Sequence, residues 1–244
     1  METKKANYLI GCSGYYYSQW KGSFYPKGVP PSKWLQHYST QFNTVELNNS
    51  FYRIPQLSNL KKQFSATPED FKFSVKVNKQ ITHVMKLKKA SQLIKDFRDL
   101  MQEGYADKLH KFLFQMPPSF HFTAENLELL NNIEWEDNSV IEFRHSSWWN
   151  KDVKELLQNK RCSFCNVDYP GLQVDFMNTT SDFYLRLHGS PDLFKSSYSP
   201  AQLEDFYEKM PRGFNSYTIY FNNTYYDAAY KNASELIEII NRSD

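Results

Sequence analysis

The chain has 244 residues, a length at which one α/β barrel is routine and a sizeable core can be buried without disulfide or metal staples. Hydrophobic residues make up 41% and charged residues 23%, which excludes a disordered chain. The formal net charge of +2 is too small for nucleic acid or an anionic membrane to be expected as a general partner.

In chain order, residues 1–7 carry lysines but lead into no apolar run of signal-peptide length. No apolar run approaches the ~18 residues of a membrane span. The expectation is a cytoplasmic chain with no membrane partner. A first strand is predicted over 8–12, followed by an aromatic stretch, Tyr15, Tyr16, Tyr17 and Trp20, that either roofs a pocket or packs a rim. A helix over 31–41 opens on Pro31, suited to a first turn. Strand 44–48 and helix 57–65 follow, then strand 71–77 and helix 90–103, with Lys86, Lys88 and Lys89 read as a solvated helix start. Strand 111–115, helix 124–131 and strand 139–144 come next. Asn150 caps a helix over 151–159. Strand 163–168 leads into 170–182, where no helical pattern is visible, so a degenerate sixth helix is expected. Strand 183–188 is followed by a capping box, Ser199-Pro200-Ala201-Gln202, opening a helix to Met210. Strand 217–222 and helix 228–241 complete the chain. Alternating strands and amphipathic helices predict a single α/β domain over 1–244, a TIM-like (β/α) barrel irregular around the sixth unit.

Three cysteines, Cys12, Cys162 and Cys165, suit a reducing compartment rather than a disulfide framework. Cys162 and Cys165 form a C-x-x-C on a predicted strand, where positions i and i+3 face opposite ways, so the pair reads as structural. Cys12 reads as a small core residue rather than a nucleophile. Gly11-Cys12-Ser13-Gly14 lacks the spacing of a dinucleotide loop. His83 and His145 lie near strand mouths, but no paired-histidine motif supports a metal; Glu, Asp and His from separate strands could still assemble one, and the cofactor is left open.

The chemistry concentrates where strands end. The strand ends carry Glu46 and Asn48, Lys76, Gln115, Glu142 and Arg144, Asp168, Arg186 and His188, then Asn222 and Asn223. Alternation puts Glu46 with Asn48, Glu142 with Arg144, and Arg186 with His188 on one face each. The intervening Leu47, Phe143 and Leu187 are apolar and belong against the helices, which sends the polar partners to the other face. One reading is a self-neutralising ion network. The other is a site in which Asn48, Lys76, Gln115, Arg144, Arg186, Asn222 and Asn223 hold a phosphate-, carboxylate- or sugar-like ligand. In it Glu46, Glu142, Asp168 and His188 supply acid, base or proton-shuttle chemistry.

These strand ends also resemble a known family. Ile10-Gly11-Cys12-Ser13-Gly14, Thr44-Val45-Glu46-Leu47-Asn48 with Ser50-Phe51-Tyr52-Arg53, and Ile81-Thr82-His83 carry the resemblance in the first half. Phe114-Gln115-Met116-Pro117-Pro118, Glu142-Phe143-Arg144-His145 with Ser147-Trp148, Arg186-Leu187-His188-Gly189 and Tyr220-Phe221-Asn222-Asn223 carry it in the second. The chain is similar to the bacterial YecE-like family, domain of unknown function 72, over nearly its whole length. Tyr15 stands where that family carries tryptophan. The resemblance implies a TIM-like barrel and supplies no reaction. Three functions compete: an enzyme of hydrolase, lyase or isomerase type on a small polar anion, a non-catalytic ligand-binding or regulatory barrel, and a nucleic-acid-processing barrel. The first is expected, with a small molecule as partner. Carboxylates on strands two, five and six, where a retaining glycosidase barrel uses strands four and seven, disfavour that chemistry.

Overall fold

The structure, a computed structural model, describes residues 6–172 and 175–243. Eight strands form where the β-rich runs lie: β1 (Asn7–Cys12), β2 (Thr44–Leu47), β3 (Lys72–Lys76), β4 (Leu109–Gln115), β5 (Ser139–Glu142), β6 (Ser163–Asp168), β7 (Asp182–Leu187) and β8 (Ser216–Phe221). The helices are α1 (Trp34–Tyr38), α2 (Asn49–Tyr52), α3 (Leu57–Ser65), α4 (Ser91–Tyr105), α5 (Ala124–Asn131), α6 (Lys151–Asn159), α7 (Pro200–Lys209) and α8 (Ala228–Ser243).

The chain packs as two compact units. The first comprises Met1–Val45, Asn166–Phe176 and Ser181–Asp244. Its strands run in the order β1-β8-β7-β6, with β1 and β7 both parallel to β8. The second comprises Glu46–Cys165 and Met177–Thr180. Its strands run β6-β5-β4-β3-β2, and the β3/β4, β4/β5 and β5/β6 pairs are parallel.

Several expectations from local signals hold. Asn150 Oδ1 accepts from Val153 N at 3.0 Å to cap α6, and Ser199 and Gln202 exchange the two bonds of a capping box at α7. Among the described residues between β6 and β7 there is no helix, as the missing periodicity implies. Other elements differ. The helix expected over 31–41 is a 3₁₀ turn, Pro31–Lys33, and the five residues of α1. It ends early because Ser39 and Thr40 turn their hydroxyls back onto the carbonyls of Gln36 (3.0 Å) and His37 (2.7 Å). The strand expected to reach Arg144 stops at Glu142. Short elements without a counterpart among the expected ones include α2, directly after β2, and a π-helical turn, Gln80–Val84, after β3.

Ring contacts identify the helix-facing side of the second unit's sheet. Phe73 stacks on Tyr105 of α4 at 4.3 Å, and Phe112 and Phe114 meet the guanidinium of Arg98, also on α4. Arg98 continues to Asn138 Oδ1 (2.9 Å) and Ser139 Oγ (2.6 Å), which ties α4 to the start of β5. Phe143 stacks on Trp148 at 4.2 Å. With these rings on one side, alternation sends Ser74, Lys76, Leu113, Gln115, Val140 and Glu142 to the other. In the first unit Phe183, Tyr217 and Tyr8 pack together, so Tyr184, Arg186 and Tyr220 share the opposite face.

α3 and α4 approach closely at Gly104. A Cβ there would lie 2.4 Å from Leu60 Cβ, well inside contact distance. Gly104→Ala gains about 1 kcal/mol in helix propensity and meets an overpacking cost of about 1–3 kcal/mol. We expect a net loss of stability, read as a lower urea midpoint with unchanged slope. A variant as stable as the parent would show that the two helices can separate at no cost.

Candidate functional site

In the second unit the site grows from the register of three strands. Gln115 pairs with Glu142, while Lys76 pairs with Leu113, two residues before Gln115, so the three polar residues share the face turned from α4 with Lys76 one step lower. Glu142 is fully buried. Its Oε1 accepts from Arg144 Nε, two residues on, and its Oε2 takes the thiol of Cys165 at 3.7 Å. The Arg144 side chain is 8% exposed, so this ion pair is nearly sealed from water. Lys76 holds its ammonium 4.1 Å from the centroid of the Phe51 ring on α2. The Gln115 amide donates to Met116 O at 2.6 Å. Glu46 is fully buried at the end of β2, and Asn48 Oδ1, just beyond it, is buried with no hydrogen-bond partner among the described residues.

His83, on the π-helical turn, stands beside this group. Its ring meets the edge of Phe51 at 4.9 Å and its Nδ1 lies 2.9 Å from Thr82 Oγ1. Burial first, then the charges of Lys76 and Arg144, lower its pKa to about 4, and Glu142 opposes them more weakly. The imidazole is therefore neutral near pH 7. π-turns and left-handed backbone gather at functional sites. Here the π-turn is followed directly by left-handed residues, with Lys86, Leu87 and Lys89 at φ of 49°, 67° and 52°. The sequence places His83 near a strand mouth and within the Ile81-Thr82-His83 motif but assigns it no role, because the turn that aims it has no periodic signature. His145 and His121 stack at 4.0 Å, and His145 Nδ1 meets Ser147 Oγ at 2.8 Å as a local cap.

In the first unit the polar strand ends take two directions. Arg186, 1% exposed, reaches Ser13 Oγ at 3.5 Å, and His188 Nδ1 lies 2.8 Å from Asn222 Nδ2. Asp168 and Asn223 serve a different network. The hydroxyl of Tyr198 donates to Asp168 Oδ2 and accepts from Gly189 N at 2.7 Å. Asn223 Nδ2 donates to Ser196 O and to Asn232 Oδ1 of α8, each at 3.0 Å. These two side chains hold the loop after β7.

The three thiols are buried. Burial raises the pKa of Cys12 and Cys162, against a smaller opposing effect of the Tyr38 hydrogen bond on Cys12 and of Arg98 on Cys162. No group of three or more metal-ligating side chains occurs among the described residues, and none of their helices is long and apolar enough to cross a membrane. A cleft of 470 Å³ lies elsewhere, between α4 and residues 133–136, floored by Ile94, Ile133 and Trp135.

Eight strands alternating with helices, polar at their C-terminal ends, define the chain as a TIM-like α/β barrel protein. The structure superposes on a crystal structure of a DUF72 family protein from Thermotoga maritima with a TM-score of 0.85 at 28% identity, over 96% of this chain and 99% of that one. A DUF72 family protein from Enterococcus faecalis shares the fold, with a TM-score of 0.79 at 22% identity over 96% and 95% of the two chains. The family described as "Protein of unknown function DUF72" matches residues 9–244, and the chain belongs to it. It is similar to UPF0759 protein YunF of Bacillus subtilis (strain 168), 32% identical over 141 residues, 54% of this chain and 50% of that protein. UPF0759 protein YecE of Escherichia coli (strain K12) is 26% identical over 128 residues, 52% of this chain and 47% of that protein. The chain thus spans about half the length of the curated relatives it matches.

Asp168 yields a test of its role. Desolvation raises its pKa above 3.8, and the Tyr198 hydrogen bond offsets this only in part. A carboxyl whose folded pKa is raised binds more protons when folded, so stability falls as pH rises from 3.8 through the folded value. Asp168→Asn keeps an acceptor for Tyr198 and removes the charge. Its melting temperature should exceed the parent's at pH 7, and the gap should close near pH 3. A variant less stable than the parent at pH 7 would mean that the carboxylate itself holds the loop.

Proposed function

We propose that the chain is an enzyme acting on a small polar anionic substrate, bearing a phosphate, carboxylate or similar group, at the C-terminal ends of β3, β4 and β5. One observation carries this reading. Two cationic side chains, Lys76 held against Phe51 and Arg144 oriented by Glu142, gather beside the half-buried His83 ring at the ends of β3 and β5. Such a pair suits an anion, and barrel enzymes place their sites at this end of their strands.

The residues divide the work by chemistry. Arg144 offers a planar fork suited to an oxyanion, and Glu142 fixes its orientation through Nε. Both oxygens of Glu142 are engaged, by Arg144 and Cys165, which suits it to orienting rather than to proton abstraction. Lys76 supplies a point charge steadied by Phe51. Asn48 and Gln115 supply amides for the polar, uncharged part of a substrate, and Glu46 a further carboxylate. Arg186 with Ser13, and His188 with Asn222, form a polar patch of similar character in the first unit.

Inorganic phosphate, sulfate and citrate, compared with chloride at equal ionic strength, test the reading by thermal shift. At a hundredfold excess over Kd a bound anion stabilises by about 2.7 kcal/mol. Lys76→Met should weaken the anion about tenfold, or about 1.4 kcal/mol, with an unchanged circular dichroism spectrum. Indifference of the parent protein to all three oxyanions would sink the proposal. An organic anion that stabilises the protein and is recovered unchanged after long incubation would reduce it to a binding protein.

A further inference from the structure

We infer that His83 is the proton acceptor of this site, and that it becomes basic only when an anion settles beside Lys76 and Arg144. The inference rests on the anion-binding reading above and adds the group that handles a proton.

Hydrogen bonding sets which ring nitrogen is available. Thr82 Oγ1 lies 3.4 Å from Asn78 O and 2.9 Å from His83 Nδ1. A hydroxyl has one hydrogen. With that hydrogen on the Asn78 carbonyl, Oγ1 accepts from His83 Nδ1–H. The ring is then the tautomer with a bare lone pair on Nε2, which has no hydrogen-bond partner among the described residues. Phe51 sets the spacing, with the Lys76 ammonium 4.1 Å from its ring centroid and the His83 ring meeting its edge at 4.9 Å. The ammonium thus acts on the imidazole through its charge. The charged groups acting on His83 are Lys76 on β3, Arg144 beyond β5 and Glu142 on β5.

This arrangement makes the ring a poor base at rest. Protonation would add a third cation to two that are already there. An anion beside Lys76 and Arg144 cancels part of that field, and linkage requires the converse: a protonated His83 binds the anion more tightly by the same factor. The anionic group of the substrate therefore arms the base that acts on the rest of it. In the step this allows, a substrate X–H bond breaks, its electron pair stays on X, and the proton goes to the Nε2 lone pair. The imidazolium keeps its Nδ1–H on Thr82 and returns the Nε2 proton to product or water. No electron changes hands beyond that pair.

The test is a histidine-ring NMR titration of the full chain from pH 3 to 8, with His83 assigned by loss of its signal in His83→Gln. It is run with and without saturating sodium sulfate, chloride making up the ionic strength. Sulfate stays a dianion over this range, so the shift reports the protein. In the free protein His83 should be neutral down to pH 5, titrating at about 4, with its hydrogen on Nδ1. Sulfate should raise the midpoint by at least about one unit, equivalent to about tenfold tighter binding to the protonated form. Lys76→Met should raise the free midpoint and shrink the sulfate-induced shift. A free midpoint above 5, or the hydrogen on Nε2, overturns the inference. Sulfate that stabilises the protein against heat while leaving His83 unmoved overturns it and spares the anion site. No stabilisation by sulfate, phosphate or citrate removes both.

Discussion

A carboxylate removed from water must find its hydrogen-bond donors inside the protein, or it does not stay ionised there. Glu142 is fully buried and meets that demand with a guanidinium two residues along its own chain and a thiol from β6. The first partner is local in sequence: Arg144, two residues past the end of β5, turns its Nε onto Glu142, while Phe143 between them packs on Trp148. Once Nε of Arg144 is committed to Glu142, the direction of its fork is set, and with it the charge that reaches His83. The placement of the Arg144 charge thus follows from one sealed ion pair whose geometry is local in sequence.

Which face each strand residue takes was legible in sequence, because it needs only a period of two and a helix-covered side. Alternation sends Lys76, Gln115 and Glu142 away from α4, and the strand register sets Gln115 beside Glu142 with Lys76 one step lower on the same side. It also separates Arg186 from Leu187. Beyond the last ladder bond a period of two no longer governs direction. Asn223 lies two residues past β8 and turns to Ser196 and Asn232 instead, and Asp168 is taken by Tyr198. Those partners lie in the loop after β7 and on α8, and no pattern in sequence announces them.

His83 was hidden for a different reason. A π-helical turn of five residues has no hydrophobic period to reveal it, and the side chains that shape the ring's behaviour come from β3, α2 and the end of β5. The run of left-handed residues at 86, 87 and 89 is equally invisible, since lysine and leucine are unusual choices there. Such conformations cost on the order of 1 kcal/mol each and persist only where packing over-determines them. Leu87, 1% exposed, provides that packing. That the described residues between β6 and β7 form no helix, by contrast, was visible as missing periodicity.

The loop after β7 is built as a closed unit. Gly189, at φ 84°, lets the chain pass so near Ser196 that a Cβ would lie 2.8 Å from its carbonyl oxygen. Asp192 and Ser196 bond within the loop, and Tyr198 is clamped through its backbone N–H and carbonyl by the Asn232 side chain. Both ends are therefore fastened to the scaffold by groups outside residues 190–195. The stretch between them is anchored as well, since Phe194 N donates to His188 O at 2.7 Å and its carbonyl accepts from Tyr225 N at 3.0 Å, so a change of length there would pull on the end of β7 and on the segment after β8 together.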